Sequence, residues 1–376
     1  MAPKATRNTS VEALRLVAVA GIAIFHTFQW TFQAVCTGVP EYAPFAAFPY
    51  SGALGFINLL GCWANEVFFM ISGYFLIASA ARAWDDGGTR ASQLQRTVKR
   101  LGKVILPTAF YCLVALTWST AISPIPDVSL HTHYWYSLGL EFIWVYAATV
   151  CMAPLFGLAK DRLPKRGYTA AVIIVGILVF IINGHLAAQS LVNGGEFSWL
   201  QKIMSAVTYV VAFLMGGLLR DYTESTSQLK ARAVAKCSLT AVLIIAIGLE
   251  ATLSVTGNLA AMAVLSYKST SIVSFALAAT SLLFAATRDS KSRITRTANA
   301  IVTLSAATLG FYVMQSLTSS LWRPAFNTML ANILVGQNNS APACALVGIA
   351  ISIAFALLLL LIDTARSQIV HKIKRQ

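Results

Sequence analysis

Arg15 and His26 are the first residues whose types and spacing could do chemistry. Eleven residues at 100° each return to within about 20° of the starting direction, with a rise of roughly 16 Å. Both side chains therefore share one face of an apolar helix, Arg15 at its boundary and His26 near the bilayer midplane. An ionisable group at that depth costs a few kcal/mol even on mild scales, so each must be paired, hydrated or useful. Glu66 lies halfway along the next apolar run, in Asn65-Glu66-Val67-Phe68-Phe69-Met70-Ile71-Ser72-Gly73-Tyr74. A carboxylate beside the imidazole would fix its tautomer and orient it as a general base. The competing accounts are a structural ion pair and, for Arg15, snorkelling to lipid phosphate.

These groups need a membrane to hold them. The 376 residues are 57% hydrophobic and 11% charged, with mean hydropathy +0.68, outside the balance of soluble domains. A spanning helix needs roughly 20 apolar residues. Ten stretches qualify: 11–32, 53–80, 103–122, 135–157, 168–187, 202–219, 238–256, 266–287, 299–320 and 342–363. The expected fold is an all-α polytopic bundle of about ten transmembrane helices, one domain over 1–376. Short tails of about 1–10 and 364–376 and both termini are expected in the cytoplasm.

The net charge of +14 follows from topology and calls for no nucleic acid. Lys and Arg fall in alternate loops, among them Arg82–Arg100, Lys160–Arg166, Arg220–Lys236 and Arg288–Arg296, as the positive-inside rule requires. The intervening loops 33–52, 123–134 and 188–201 have none, and loop 321–341 has only Arg323. Cys36, Cys62, Cys112, Cys151, Cys237 and Cys344 form no CxxC pair, so no metal site or disulfide framework is expected. The first apolar run is too long for a cleaved signal peptide, and no internal repeat is visible.

Five blocks resemble, in order, the membrane-integral acyltransferase-3 family, which includes O-acetyltransferases of bacterial surface polysaccharides and peptidoglycan. Val11-Glu12-Ala13-Leu14-Arg15 through His26 is similar to its opening Arg-x10-His segment. Glu66 through Leu76 resembles its acidic-FF-x-I-S-G-F/Y-L signature. Arg100 through Pro107 resembles its basic stretch ahead of a proline, with Lys103 where a second arginine is common. His133-Tyr134-Trp135-Tyr136 looks like its His-x-Trp-aromatic approach to the fourth helix. Ser305 through Tyr312 resembles its late S-x-x-T-F-G-I-Y block, where a histidine usually follows and this chain has Gln315.

The resemblance implies an enzyme, an O-acyltransferase moving an acetyl or other acyl group from cytosolic acyl-CoA to a hydroxyl of a surface or lipid-linked glycan. It implies a bacterial inner membrane, acyl-CoA as co-substrate and no permanently bound cofactor or metal. His26 would be the general base or a transient acyl carrier, with Glu66 orienting it. Arg15, Arg96, Arg100 and Lys103 would hold the donor phosphates. Ser72 is a candidate acyl relay, though a Ser-Gly pair also permits close helix contact. His133, Trp135, Glu141, Tyr312 and Gln315, with Glu250, are candidates for the acceptor side. The alternatives are a transporter or flippase for a lipid-linked intermediate, with the same polar groups lining a path, and an accessory membrane protein.

Overall fold

A computed structural model describes residues 8–126, 128–129, 140–193, 198–266, 270–288, 296–336 and 340–373. Among them there are helices and no strand: α1 (Thr9–Cys36), a 3-10 helix (Pro40–Phe45), α2 (Tyr50–Asp85), α3 (Arg90–Ala121), α4 (Glu141–Arg162), α5 (Lys165–Asn193), α6 (Ser198–Ser225), α7 (Gln228–Val255), α8 (Leu259–Leu265), α9 (Ile272–Thr287), α10 (Arg296–Ser305), α11 (Thr308–Leu317), α12 (Ser319–Gly336) and α13 (Ala341–Ile373). Eight are long and apolar enough to cross a bilayer, and α10 with α11, bent by 46° at their junction, forms a broken span or a re-entrant loop. The apolar helix α9 has 16 residues, a length of about 24 Å.

Local chemistry sets the ends. Asn8 Oδ1 accepts from Ser10 N at 3.0 Å to cap α1, and Thr89 and Ser271 cap α3 and α9 with their hydroxyls. Just past the C-caps of α1 and α2, Gly38 and Gly87 take φ of 72° and 75°, the left-handed position that glycine accepts without strain.

Several helices run past the apolar stretch that hydropathy marks. α3 starts at Arg90 where the apolar run starts near 103, and α13 continues to Ile373 through the segment expected to be a tail. Backbone hydrogen bonding does not stop where the side chains turn polar. The segment expected at 299–320 breaks after Ser305, and that at 266–287 begins its helix at Ile272. The stretch 321–341, expected to be a loop, is largely the helix α12, which buries Leu330 and Leu334 against Phe28, Phe32, Tyr42, Phe45 and Leu54. The span expected from 135 is described only from Leu140 on.

α2 lies at the centre, packed by α1, α4, α6, α7 and α9. Against α6 it approaches backbone to backbone. A Cβ on Gly73 would strike the Phe213 carbonyl, and one on Gly216 the Met70 carbonyl, the small-residue contact that holds helices together where lipid supplies no hydrophobic drive. Lys160 and Asp221 pair α4 with α6 at the end of the bundle that also carries Arg82, Arg90, Arg220 and Arg232. That end is called the basic end below. At the opposite end the described cations are Lys202 and Arg323.

Gly73→Ala should therefore lower stability by about 1–3 kcal/mol through overpacking. Gly184→Ala, with nothing within 4 Å of the added methyl, should leave stability unchanged or raise it by a few tenths to about 1 kcal/mol. Thermal unfolding midpoints of the purified variants in detergent check both signs.

Candidate active site

α1 presents His26 half-buried between the main core and the far-end cluster. Its Nδ1 lies 2.9 Å from Arg323 Nη2, on α12. A guanidinium has donors and no acceptor, so Arg323 donates and Nδ1 accepts. The ring is then the tautomer carrying its hydrogen on Nε2. The longer contact to Gln29 Oε1, 3.3 Å, cannot be a hydrogen bond donated by the same unprotonated nitrogen.

The expected contact between Glu66 and His26 is not made. α1 and α2 run antiparallel with Phe25 against Gly61, which sets His26 level with about residue 60. Glu66 is some six residues, or about 9 Å, further toward the basic end. It is fully buried on the side of α2 that meets α9, where the Ser274 hydroxyl is the polar group beside its carboxylate. The group that orients the imidazole is a cation from a segment expected to be loop.

Two buried nitrogens near His26 lack an acceptor, Gln315 Nε2 and Arg323 Nε. Gln315 lies one turn beyond Tyr312 on α11, and its backbone carbonyl accepts from Trp322 Nε1 at 2.9 Å, the residue before Arg323. The Nε2–H of half-buried His26 likewise makes no hydrogen bond among the described residues. Buried donors are rarely left so, and such a set suits an oxygen that gains negative charge.

From this region toward the basic end, α2 carries Asn65, Ser72 and Ser79, spaced by seven and so drifting only about 20° per step. Each meets a partner from another helix. Asn65 Oδ1 accepts a short hydrogen bond from Tyr312, and Asn65 Nδ2 donates to Tyr209 Oη at 3.2 Å. Ser72 Oγ lies 3.0 Å from Tyr146 Oη, and Ser79 Oγ accepts from Arg100 Nη2 at 3.0 Å. Phe142 stacks on Tyr312 with centroids 4.4 Å apart, which fixes the phenol against Asn65.

The remaining expected residues divide. Arg96 and Lys103 are exposed on the α3 face that carries Arg100. Arg15 Nη1 is held at 3.0 Å by Glu12 Oε2, which also accepts from Ser305 Oγ at 2.7 Å, so the first and last of the sequence blocks touch. Glu141 is exposed at the start of α4. Glu250 is buried beside Gly55, its oxygens without a hydrogen-bond partner, on the α7 side of α2 and not with His26. His133 and Trp135 lie outside the described residues. Arg323, Asn65, Tyr146 and Tyr209 are additions. The seven-residue spacing in α2 signalled Asn65, and the isolation of Arg323 in an otherwise cation-free loop signalled the arginine.

Eight of the helices are long and apolar enough to cross a bilayer, and the class of protein is a membrane acyltransferase. The profile described as an acyltransferase domain, that of the acyltransferase-3 family, matches residues 8–361, and the chain belongs to this family. No curated protein and no solved structure matches it.

The tautomer is directly testable. In 15N-histidine-labelled protein, the His26 resonances, assigned by their loss in His26→Asn, should show a protonated Nε2 and an unprotonated Nδ1. Arg323→Leu should abolish that preference. A protonated Nδ1 in the unaltered protein would refute the assignment.

Proposed function

We propose that this protein transfers an acyl group, acetyl in the simplest case, from acyl-CoA to a hydroxyl of a surface or lipid-linked glycan. The observation that carries the reading is the pair of buried N–H donors without acceptors, Gln315 Nε2 and Arg323 Nε, on the two helices beside the imidazole whose Nδ1 Arg323 holds. The acceptor hydroxyl attacks the thioester carbon and its carbonyl oxygen becomes an oxyanion. Those donors hold that oxygen, and the breaking C–S bond expels CoA thiolate, which takes up the proton lost by the hydroxyl. Donors fixed in advance where charge develops are commonly the largest single catalytic contribution. In this role His26 acts as a hydrogen-bond donor, because the nitrogen facing away from Arg323 already carries its hydrogen.

The donor's phosphates belong at the basic end, on Arg100 with Arg96 and Lys103, and the positive-inside rule puts that end in the cytosol. From Ser79 to Asn65 the polar stripe of α2 extends about 21 Å. Its length and its alternation of hydroxyls with aromatic rings suit the extended arm of a CoA thioester, with the thioester near Tyr312 and Gln315. Gln315 then supplies an N–H where relatives usually carry histidine, and the acceptor enters from the opposite end.

Membranes containing the protein and radiolabelled acetyl-CoA should transfer label to endogenous glycan. His26→Ala and Arg323→Gln at matched abundance should each reduce transfer by about 10²–10³-fold, the usual loss on removing an oxyanion donor. Equal labelling by all three forms would rule out the site. An absence of labelling across acyl-CoAs of several chain lengths would favour a transport path.

A further inference from the structure

On the opposite flank of α2 from Arg100, a groove of about 630 Å³ runs between α1, α7, α9 and α10. Its walls are Leu14 and Val17 of α1, Leu239 and Leu243 of α7, and Leu277 and Phe284 of α9. Trp63 closes the floor, its Nε1 donating to Ser281 Oγ at 3.2 Å. The chemistry changes at one end. The basic end of the groove has the Thr9 and Ser10 hydroxyls of the first turn of α1, facing the exposed Arg288 at the end of α9.

Its length is informative. From Leu277 to Arg288 is eleven residues, about 16 Å, close to half of the roughly 30 Å hydrocarbon core. The α9 wall of the groove thus has the depth of about one leaflet, and Arg288, its one cation among the described residues, stands at the polar end of that depth. Val17, on its rim, is 56% exposed, so the groove opens sideways to lipid and its inner end stops near the midplane.

We infer that this groove is a binding site for an anionic glycerophospholipid of the leaflet at the basic end, with one acyl chain lying along Leu239, Leu243 and Leu277 and the phosphate held by Arg288 and the Ser10 hydroxyl. The arrangement is charge-complementary, since a cation and two hydroxyls meet a phosphate while the remaining walls offer an alkyl chain only carbon. The chain of a bound acyl-CoA fits less well, because Arg100, Arg96 and Lys103 lie on the α3 side of α2. The site is independent of the acyl-transfer reading.

The full-length protein in vesicles containing phosphatidylglycerol with a mid-chain diazirine tests this, by irradiation and peptide mapping. Labelling should concentrate on Leu239, Leu243 and Leu277 relative to the lipid-facing Leu357 and Leu361 of α13, which are 46% and 57% exposed. Arg288→Glu should reduce groove labelling by about fivefold or more, the effect of one cation near an anionic surface. Leu243→Trp, which fills the groove, should reduce it with phosphatidylcholine as well. Both variants are compared at matched monodispersity. Labelling no stronger than on α13, or unchanged in both variants, would mean ordinary lipid contact and overturn the proposal. Labelling by a diazirine-bearing long-chain acyl-CoA that excess CoA removes, without labelling by the phospholipid, would overturn it in favour of the donor's own chain.

Discussion

The whole arrangement depends on α2 being surrounded by other helices. A helix facing lipid cannot afford many polar side chains, because the hydrocarbon offers no partner. α2 meets protein on nearly every side, and almost each of its polar groups finds a partner on a different neighbour: Ser51 with Ser254, Asn58 with Ser266, Trp63 with Ser281, Asn65 with Tyr209 and Tyr312, Ser72 with Tyr146, Ser79 with Arg100. That centrality rests in turn on Gly73 and Gly216, which let α2 and α6 touch through their backbones. The packing glycines and the polar stripe are two consequences of one position in the bundle.

Much of this was legible in the sequence, and the parts that were not share a cause. Hydropathy located the apolar segments, since burial in lipid is a property of composition along the chain. The Arg15–His26 spacing and Glu66 stood out because polar groups at depth are costly, and the Arg100, Ser305 and Tyr312 blocks stood out by their resemblance to the acyltransferase-3 family. What composition does not encode is which way one helix faces around another. Glu66 and His26 sit within a few turns of the same depth on adjacent helices, yet Glu66 turns toward α9 and His26 toward α12. The pairing of Glu66 with His26 failed on azimuth and on the antiparallel offset, neither of which can be read from spacing within one helix.

Arg323 shows the complementary failure. Its segment is less apolar than a span, and a window of about 19 residues averages its polar first turns with the Leu330–Leu334 face that packs on the far-end cluster. Hydropathy alone therefore reads it as loop. A loop cation reads as a weak topological signal, whereas the same cation on a helix docked against α1 is delivered to an imidazole 2.9 Å away. Its isolation among cation-poor loops was the available clue, since the positive-inside rule leaves a lone arginine at that end without a topological purpose.

The identity of His26's partner decides what the imidazole can do. A carboxylate at Nδ1 would accept a hydrogen bond from Nδ1–H, leave the Nε2 lone pair free, and make a general base. A guanidinium at Nδ1 donates, so Nε2 carries the hydrogen and the ring becomes a donor. The same histidine at the same depth thus suits opposite halves of acyl transfer, depending on whether its neighbour donates or accepts the hydrogen bond at Nδ1. The unpartnered nitrogens of Gln315 and Arg323 favour the donor role, because buried donors left without acceptors are complementary to a developing oxyanion. A glutamine in place of a histidine keeps that logic, for its amide N–H can point at the same oxygen without a change of charge.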